Sequence, residues 1–332
     1  MSLTVRRIGP ACTLQDQGRT GFLDQGLSRS GAADILALHE GAALLGQSPD
    51  CAALEMAGMG GEFEASQPTR IALTGAPMKA SIDGSPVVWN ASHQLTQGQR
   101  LVIGAALQGN YGYLHVGGGV EAAVFLGSRS THLTAKIGRV VQAGDVLAAG
   151  PDTGNTGLKL IPSERFSGGV LHVVASFQTS LFDNTALDRF ARTKFRRGTR
   201  ANRMGMQLES DGDGFAAKGQ LNILSEVITP GDIQMTGTGS PFILLPECQT
   251  TGGYPRIATV LPCDMPRAAQ TPAGAPIRFE FVTIDQAMAL HTRFQSELAH
   301  LPRQVEPLLR DPHDIADLLS YQLISGVISA TD

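Results

Sequence analysis

Residues 70–103 read RIALTGAPMKASIDGSPVVWNASHQLTQGQRLVI, and this stretch decides the fold class. Short runs of apolar and β-branched residues follow one another, and each run is bounded by Gly, Pro, Asn or Asp. The pair Asp83-Gly84 stands between two of these runs, which is a strong signal for a β-hairpin. Strands that recur every roughly 8–12 residues with turn residues between them are typical of a barrel or a sandwich.

The same pattern extends over most of the chain. Helical patterns do not alternate with the apolar runs, so parallel βαβ units are not expected. The chain has 39 glycines and only 17% charged residues, a composition that suits many short strands and tight turns. We therefore predict a mainly β chain with a few helices. Further candidate strands span residues 3–5, 78–82, 87–89, 111–116, 170–175, 223–227, 233–235, 242–245, 257–261 and 277–282.

Three helices are predicted. The first begins after Asp34, an N-cap residue, and ends at Gly46, with apolar residues on one face between them. Thr283 and Gln286 form a capping box that starts a second helix. A third helix is predicted from Asp311, because Pro312 suits the first turn of a helix.

Residues 149–169 are rich in Gly, Pro and small polar residues, which indicates a domain boundary. We predict an N-terminal β-barrel domain with one helix over residues 1–155 and a C-terminal β-barrel domain over residues 165–300. Residues 301–332 are expected to form a helical C-terminal extension. The apolar stripe on the C-terminal helices also suggests a homo-oligomer.

Composition and absent motifs narrow the function. The net charge of −4 predicts no general attraction to nucleic acid or to a membrane. The four cysteines lie far apart and the eight histidines show no paired spacing, so no metal site is expected. The sequence has no phosphate loop, no dinucleotide fingerprint and no nucleophile elbow. It also lacks a signal peptide and a long apolar span, so a cytoplasmic protein is expected.

Two polar clusters in the first half suggest an anion site. Residues 15–34 place Arg19 and Ser28 among glycines, which let a ligand approach the backbone, and arginines bind carboxylate or phosphate. Residues 126–131 place Arg129 and Ser130 among further hydroxyl groups. The alternative interpretations are a polar turn with a helix cap for the first cluster and a surface loop for the second.

The most specific cluster reads ECQTTGGYP over residues 247–255. It joins an amide, two hydroxyl groups, two glycines and a Tyr-Pro corner, which suits the recognition of a small polar substrate. Residues 189–203 contain seven basic residues and no acid. They indicate phosphate attraction or docking to an acidic partner, and the alternative is a solvated face.

In this order, and together with Thr74-Gly75-Ala76 and Asn202-Arg203-Met204-Gly205, these segments resemble one family. It is variously called the 5-oxoprolinase C subunit, allophanate hydrolase subunit 2 or biotin-dependent carboxyltransferase, and it includes the antagonist of the Kip kinase inhibitor. The resemblance implies two cyclophilin-like β-barrels. Two departures from the family pattern, at Gln207 and at Met235-Thr236, bear on the identity of the substrate.

The resemblance implies an ATP-dependent complex that opens 5-oxo-L-proline to glutamate. Its partners would be the Kip inhibitor-like B subunit and the A subunit of that complex, and its substrate a small polar amide. A first alternative is the carboxyltransferase component of a biotin-dependent, urea-carboxylase-like system, with carboxybiotin supplied by a partner. A second is a regulatory protein that binds a kinase inhibitor and catalyses nothing.

The expected site follows from these two chemistries, in which negative charge develops on an activated carbonyl oxygen. Arg203 is expected to be catalytic, with Glu55 or Glu226 as the base, since burial beside apolar runs would suit a carboxyl group to that task. ATP is expected as a co-substrate of the complex, and no covalent cofactor is expected. The expected substrate-binding residues are Arg19, Ser28, Arg129, Ser130, Gln249, Thr250, Thr251, Gly252, Gly253 and Tyr254.

Overall fold

The computed structural model describes residues 1–217 and 224–309. Its helices are α1 (Ile35–Leu45), α2 (Asn184–Arg192), α3 (Met265–Gln270) and α4 (Ile284–His300). Its strands are β1 (Ser2–Ile8), β2 (Thr13–Gln15), β3 (Ala53–Ala57), β4 (Gly61–Ala65), β5 (Thr69–Gly75), β6 (Met78–Ile82), β7 (Ser85–Pro86), β8 (Ala91–Leu95), β9 (Arg100–Ala106), β10 (Tyr111–Val116), β11 (Val146–Ala148), β12 (Leu158–Lys159), β13 (Gly169–Val174), β14 (Phe195–Asn202), β15 (Gly205–Glu209), β16 (Glu226–Val227), β17 (Asp232–Met235), β18 (Pro241–Leu244), β19 (Thr251–Gly252), β20 (Arg256–Val260), β21 (Pro276–Phe281) and β22 (Glu306–Pro307). The prediction of a mainly β chain is confirmed.

The first half of the chain builds two sheets, called here the N-terminal sheets. One has the strand order β11-β1-β4-β9-β6-β7, and the other the order β2-β3-β10-β5-β8-β12-β22. Apolar side chains of both sheets, among them Phe63, Leu73 and Leu101, are fully buried in one shared core. That burial is the main favourable contribution to the free energy of folding here.

The hairpin predicted at Asp83-Gly84 is confirmed, since β6 and β7 pair across it. The strand predicted over residues 87–89 is wrong, because β7 ends at Pro86. The chain turns inward there, and Trp89 Nε1 donates a hydrogen bond to the Gly75 carbonyl oxygen over 3.1 Å. The partly buried indole thereby gains a hydrogen-bond partner for its N–H group inside the fold.

The second half forms a closed barrel, called here the C-terminal barrel, with the strand order β13-β20-β17-β18-β15-β14-β21. The parallel pairing of β13 with β21 closes it. Its interior holds a cluster of phenylalanine rings, in which the Phe190 centroid lies 4.8 Å from Phe279 and 5.2 Å from Phe195. Such distances are those of favourable aromatic pairs.

The basic run at residues 189–203 forms the end of α2 and the whole of β14. Neither element was predicted, because the arginines of this run obscure the apolar positions. Asp183 caps α2 by accepting a hydrogen bond from the Ala186 N–H (2.7 Å). Phe190 and Phe195 are the buried residues that anchor the run.

Helix α1 joins the two halves, and its predicted caps are confirmed. Asp34 Oδ1 accepts a hydrogen bond from the Ala37 N–H (3.1 Å), and Gly46 ends the helix in the left-handed conformation. Asp34 Oδ2 also accepts hydrogen bonds from Arg165 Nε (2.7 Å) and Gln270 Nε2 (2.8 Å). Because Arg165 lies in the connecting segment and Gln270 in α3, one buried carboxylate holds the connection, the barrel and α1 together.

Helix α4 begins with the predicted capping box of Thr283 and Gln286, which is confirmed. After it, β22 pairs with β12, so the described end of the chain adds a strand to the N-terminal sheets. The helix predicted from Asp311 lies outside the described residues. Within residues 1–217 and 224–309, no helix has the length and apolar content needed to span a membrane.

Candidate functional site

A buried ion network lies where the C-terminal barrel meets the N-terminal sheets, and Arg203 is at its centre. Arg203 Nε donates to Glu247 Oε1 (2.6 Å), Nη1 donates to Glu55 Oε1, and Nη2 donates to the Gly31 carbonyl oxygen (2.6 Å). Burial opposes the positive charge, but the two carboxylates outweigh that effect and hold the pKa of Arg203 above its ordinary value. The guanidinium is therefore committed to protein partners.

Glu55 is held on its other side as well. Its Oε2 accepts hydrogen bonds from the Tyr113 hydroxyl (2.6 Å) and the Ala33 N–H (2.8 Å). Burial, and then the charge of Glu55, raise the pKa of Tyr113 well above its ordinary value, so the phenol keeps its proton. Glu55 is 1% exposed and lies behind Arg203, away from solvent.

The Ser28 hydroxyl, the His132 imidazole and the Glu247 carboxylate lie in a row in the structure. Ser28 Oγ lies 2.8 Å from His132 Nε2, and His132 Nδ1 lies 3.8 Å from Glu247 Oε2. The Ala135 N–H donates to His132 Nδ1 (3.3 Å), which places the imidazole proton on Nε2, facing Ser28. Since Ser28 is buried and receives that proton, this arrangement holds the loop and does not activate a nucleophile.

Asp16 organises the second cluster. It accepts hydrogen bonds from the Ser128 hydroxyl (2.6 Å), the Ser130 hydroxyl, the Arg129 N–H (2.6 Å) and the Gly18 N–H (2.8 Å). Burial works to raise the pKa of Asp16, but these hydrogen bonds outweigh it, and the pKa lies below its ordinary value. The Ser130 hydroxyl is thus bound to a permanent anion within the fold.

Arg19 and Arg129 lie close in the fold but face different surroundings. Arg19 is buried, donates from Nη2 to the Ser130 carbonyl oxygen, and has no hydrogen-bond partner at Nη1 among the described residues. Arg129 lines a separate cavity of about 710 Å³, together with Lys136 and Arg139. Arg19 and Arg129, both predicted to bind an anion, therefore do not line the same cavity.

The loop at residues 249–254 lies at the surface of the barrel. Thr251 and Gly252 form β19, which pairs with β16, and Tyr254 is half exposed. Glu226 lies in β16 and accepts hydrogen bonds from Arg256 Nη2 (2.7 Å) and Gln178 Nε2 (2.9 Å). Its side chain is 49% exposed, so it is not the buried acid that the sequence suggested.

Two cavities meet at the turn formed by Asn202 and Met204. The inner cleft, about 420 Å³, lies between the barrel and the N-terminal sheets, and Arg203 and Glu247 line it. The outer pocket, about 620 Å³, opens beside the 249–254 loop. Further residues that line the inner cleft are Ala57, Asn110, Tyr111, Leu133, Thr134, Arg197 and Ala201, and the outer pocket is lined by Thr199, Gln234, Phe242, Cys248, Gln249 and Tyr254 among others.

The predicted site residues thus fall into three groups. Arg203, Glu55, Arg19, Ser28 and Ser130 belong to the buried networks. Gln249, Thr250, Thr251, Gly252, Gly253 and Tyr254 form the exposed loop with Glu226, and Arg129 lines the third cavity. The structure brings the first cluster and the exposed loop close together, because the Ser30 N–H donates to the Pro246 carbonyl oxygen (3.0 Å).

Several residues of the site were not singled out from the sequence: Asp16, Ser30, Tyr113, Ser128, His132, Arg197 and Glu247. Glu247 and Asp16 lie inside the polar clusters, so proximity to those clusters was the available signal. The sequence did not show which of these side chains are buried or which residues they bond to. Within the described parts of the chain, no group of three or more His, Cys, Asp or Glu residues is placed to hold a metal ion.

Comparisons with known proteins agree with this architecture. A family model described as "Carboxyltransferase domain, subdomain A and B" matches residues 25–281. The chain is 34% identical to the 5-oxoprolinase C subunit of Haemophilus influenzae, over 89% of this chain and 96% of that protein. It is 32% identical to the 5-oxoprolinase C subunit of Escherichia coli K12, over 86% of this chain and 93% of that protein.

Longer proteins match as well. Urea amidolyase of Lachancea kluyveri is 26% identical over 85% of this chain but only 17% of its own length. The crystal structure of TTHA0988 superposes on this structure with a TM-score of 0.77 at 29% sequence identity. The match covers 84% of this chain and 56% of the TTHA0988 chain.

The K. lactis urea amidolyase structure has a TM-score of 0.82 at 21% identity over 94% of this chain and 21% of that one, which shows a shared fold. The family expected from the sequence motifs is confirmed. Because the family model and both 5-oxoprolinase relatives cover most of the chain, the protein belongs to the carboxyltransferase-domain family with subdomains A and B.

Proposed function

We propose that this chain is the C component of a cytoplasmic, ATP-dependent 5-oxoprolinase-type complex that hydrolyses 5-oxo-L-proline to glutamate. The observation that supports this proposal is the extent of the matches. The two relatives named as the C subunit of 5-oxoprolinase correspond to this chain over nearly their whole length, whereas urea amidolyase corresponds to it over a small fraction of its length. The partners in the proposal are the B and A components of the same complex.

In this proposal the inner cleft and the 249–254 loop hold the lactam, and ATP enters as a co-substrate of the complex. Phosphoryl transfer from ATP to the lactam carbonyl oxygen makes the carbon susceptible to water. One water adds to that carbon and the ring C–N bond breaks, with a proton taken up by the nitrogen. A second water releases phosphate, which leaves glutamate and ADP. Hydrogen-bond donors of the loop, such as Thr251 and Gln249, would stabilise charge on the reacting oxygen.

The Arg203 network has a positioning role in the proposal. Arg203 holds Glu55 and Glu247 and joins the barrel to the loop at Gly31, so it fixes one wall of the inner cleft. Of the three acids, only Glu247 lines the inner cleft; Glu55 lies behind Arg203, and Glu226 lies beside the outer loop. Glu247 is therefore a better candidate than Glu55 or Glu226 for contact with the substrate.

A second candidate function is carboxyl transfer, with carboxybiotin supplied as a substrate by a partner protein. The family model and the likeness to the urea amidolyase fold favour it. In that reaction the bond from the carboxyl carbon to the biotin nitrogen breaks and a new bond forms to a nitrogen of a urea-type substrate. The proton that this nitrogen loses goes to the biotin nitrogen.

One experiment separates the candidates. The chain is co-expressed with the B and A component homologues of its own genome, and the purified complex receives 5-oxo-L-proline and ATP. Glutamate and ADP formed in equal amounts support the oxoprolinase proposal. An assembled complex that forms neither product, but transfers the carboxyl group of carboxybiotin to urea, supports the second candidate. An assembled complex with neither activity favours the regulatory role.

A further inference from the structure

Arg197 occupies an unusual position on strand β14. Side chains alternate along a strand, so Arg197 lies on the same face as Phe195, which is fully buried in the barrel core. Across the ladder it pairs with Leu208, which is also buried. A charged side chain on an apolar face is energetically unfavourable without a compensating partner.

The described residues offer Arg197 no such partner. Its Nε is buried and makes no hydrogen bond, and its guanidinium forms no ion pair with any residue in 1–217 or 224–309. The neighbouring arginines differ, because Arg196 pairs with Asp211 (2.8 Å) and Arg203 pairs with Glu55 and Glu247. Burial lowers the pKa of Arg197, yet an arginine stays charged in proteins.

Arg197 is half-buried and is one of the residues that line the inner cleft. The cleft volume of about 420 Å³ is in the range of small-molecule sites. Arg203 also lines it, but that guanidinium already bonds to two carboxylates and a carbonyl oxygen. Among the described residues that line this cleft, Arg197 is thus the cation with donors left for a ligand. A register shift between Arg197 and Ala201 bends β14 at this point, and such bulges often redirect side chains beside binding sites.

We propose that Arg197 is the receptor for the carboxylate of a small substrate that carries a carboxylate next to a neutral cyclic amide. The remaining wall of the cleft suits the neutral part of such a molecule, since it combines Ala57, Leu133 and Met204 with the polar side chains of Tyr111 and Asn202. The inference rests on the proposed function, because 5-oxo-L-proline has this chemistry and urea has no carboxylate. A planar guanidinium binds a carboxylate through two parallel hydrogen bonds, which also sets the orientation of the ring.

The test compares two ligands of almost equal shape, 5-oxo-L-proline and 5-oxo-L-prolinamide, which differ in the charge of one group. Binding to the full chain in its complex is measured by titration calorimetry, independently of turnover. The variants are Arg197→Met and Arg197→Lys, and the matched control is Arg196→Met, which alters the adjacent exposed arginine. Arg197→Met should weaken 5-oxo-L-proline binding roughly 10- to 100-fold, the effect of losing a hydrogen-bonded charge pair.

The same change should leave the affinity for the amide unaltered, Arg197→Lys should recover part of the loss, and Arg196→Met should have no effect. Equal affinity of wild type and Arg197→Met for 5-oxo-L-proline would overturn the assignment. So would an equal loss for both ligands, which indicates a purely structural role. If 5-oxo-L-proline binding depends on Arg197 but the complex shows no ATP-dependent turnover, the proposed function alone is contradicted. If turnover and binding are both unaffected by the Arg197 substitutions, this inference alone is contradicted.

Discussion

Replacing Arg203 by Met should destabilise the fold strongly, because the variant leaves two buried carboxylates without their cation. Glu55 is 1% exposed and Glu247 is 2% exposed, so water cannot take the place of the guanidinium. Breaking a buried ion pair by removing one partner costs about 3–5 kcal/mol. That is a large part of the roughly 5–15 kcal/mol that typically separates folded from unfolded protein, so we expect a large drop in the urea midpoint.

The assay is urea unfolding followed by fluorescence or circular dichroism at pH 8. Adding Glu55→Gln and Glu247→Gln should recover part of the stability, since both unpaired charges are then removed. Arg196→Met is the matched control, and its exposed side chain should give no measurable change.

The reasoning would be refuted by an Arg203→Met variant whose free energy of unfolding lies within about 1 kcal/mol of wild type. In that case the charges of the network would not be coupled as the geometry indicates. A loss of stability that the two Gln substitutions fail to reduce would also contradict the electrostatic account, and would point to lost packing of the arginine side chain.

Three further predictions concern other parts of the fold. Burial lowers the pKa of His132 below about 6.5, its value in an unfolded chain. The stability that neutral His132 contributes is therefore complete above about pH 6.5 and declines as the pH falls. Unfolding curves between pH 7.5 and 5 should show a shallower decline in the free energy of unfolding for His132→Asn than for wild type. Gly41→Ala should lower the melting temperature and cost about 1–3 kcal/mol, because a Cβ there would lie 2.3 Å from the His115 ring; an unchanged melting temperature would contradict this packing. Thr251→Val and Tyr254→Ala should leave thermal stability unchanged, since both side chains are exposed. The same changes should reduce turnover of the reconstituted complex by about tenfold or more. Full activity in both variants would show that the loop at residues 249–254 does not belong to the site.

The strands were largely predictable from the sequence because their signal is local. Apolar runs between turn residues located most of β13, β17, β18, β20 and β21 to within a residue or two. The closure of the C-terminal barrel could not be predicted from local sequence patterns. It depends on the parallel pairing of β13 with β21, two segments that are distant in the sequence, and no local pattern specifies that partner.

The polar loops were predictable from the sequence, but the contacts that their residues make were not. Polar clusters identified the loops at residues 15–34, 126–131 and 247–255. In the structure the Asp16 N–H donates to the Ser130 hydroxyl, and Arg203 links Gly31 to Glu247. A sequence does not show which charges neutralise each other. Arg197 and Arg203 lie in one basic run. Among the described residues, however, Arg197 has no counter-charge and Arg203 has two.

The most direct test of the proposed function is an omission series with the reconstituted complex. ATP-dependent release of glutamate from 5-oxo-L-proline is measured with the A and B components in the presence and absence of this chain. The account predicts glutamate formation that requires this chain and that is matched by ADP formation. Equal glutamate formation without the chain, or none with all three proteins assembled, would contradict the assignment as a 5-oxoprolinase component.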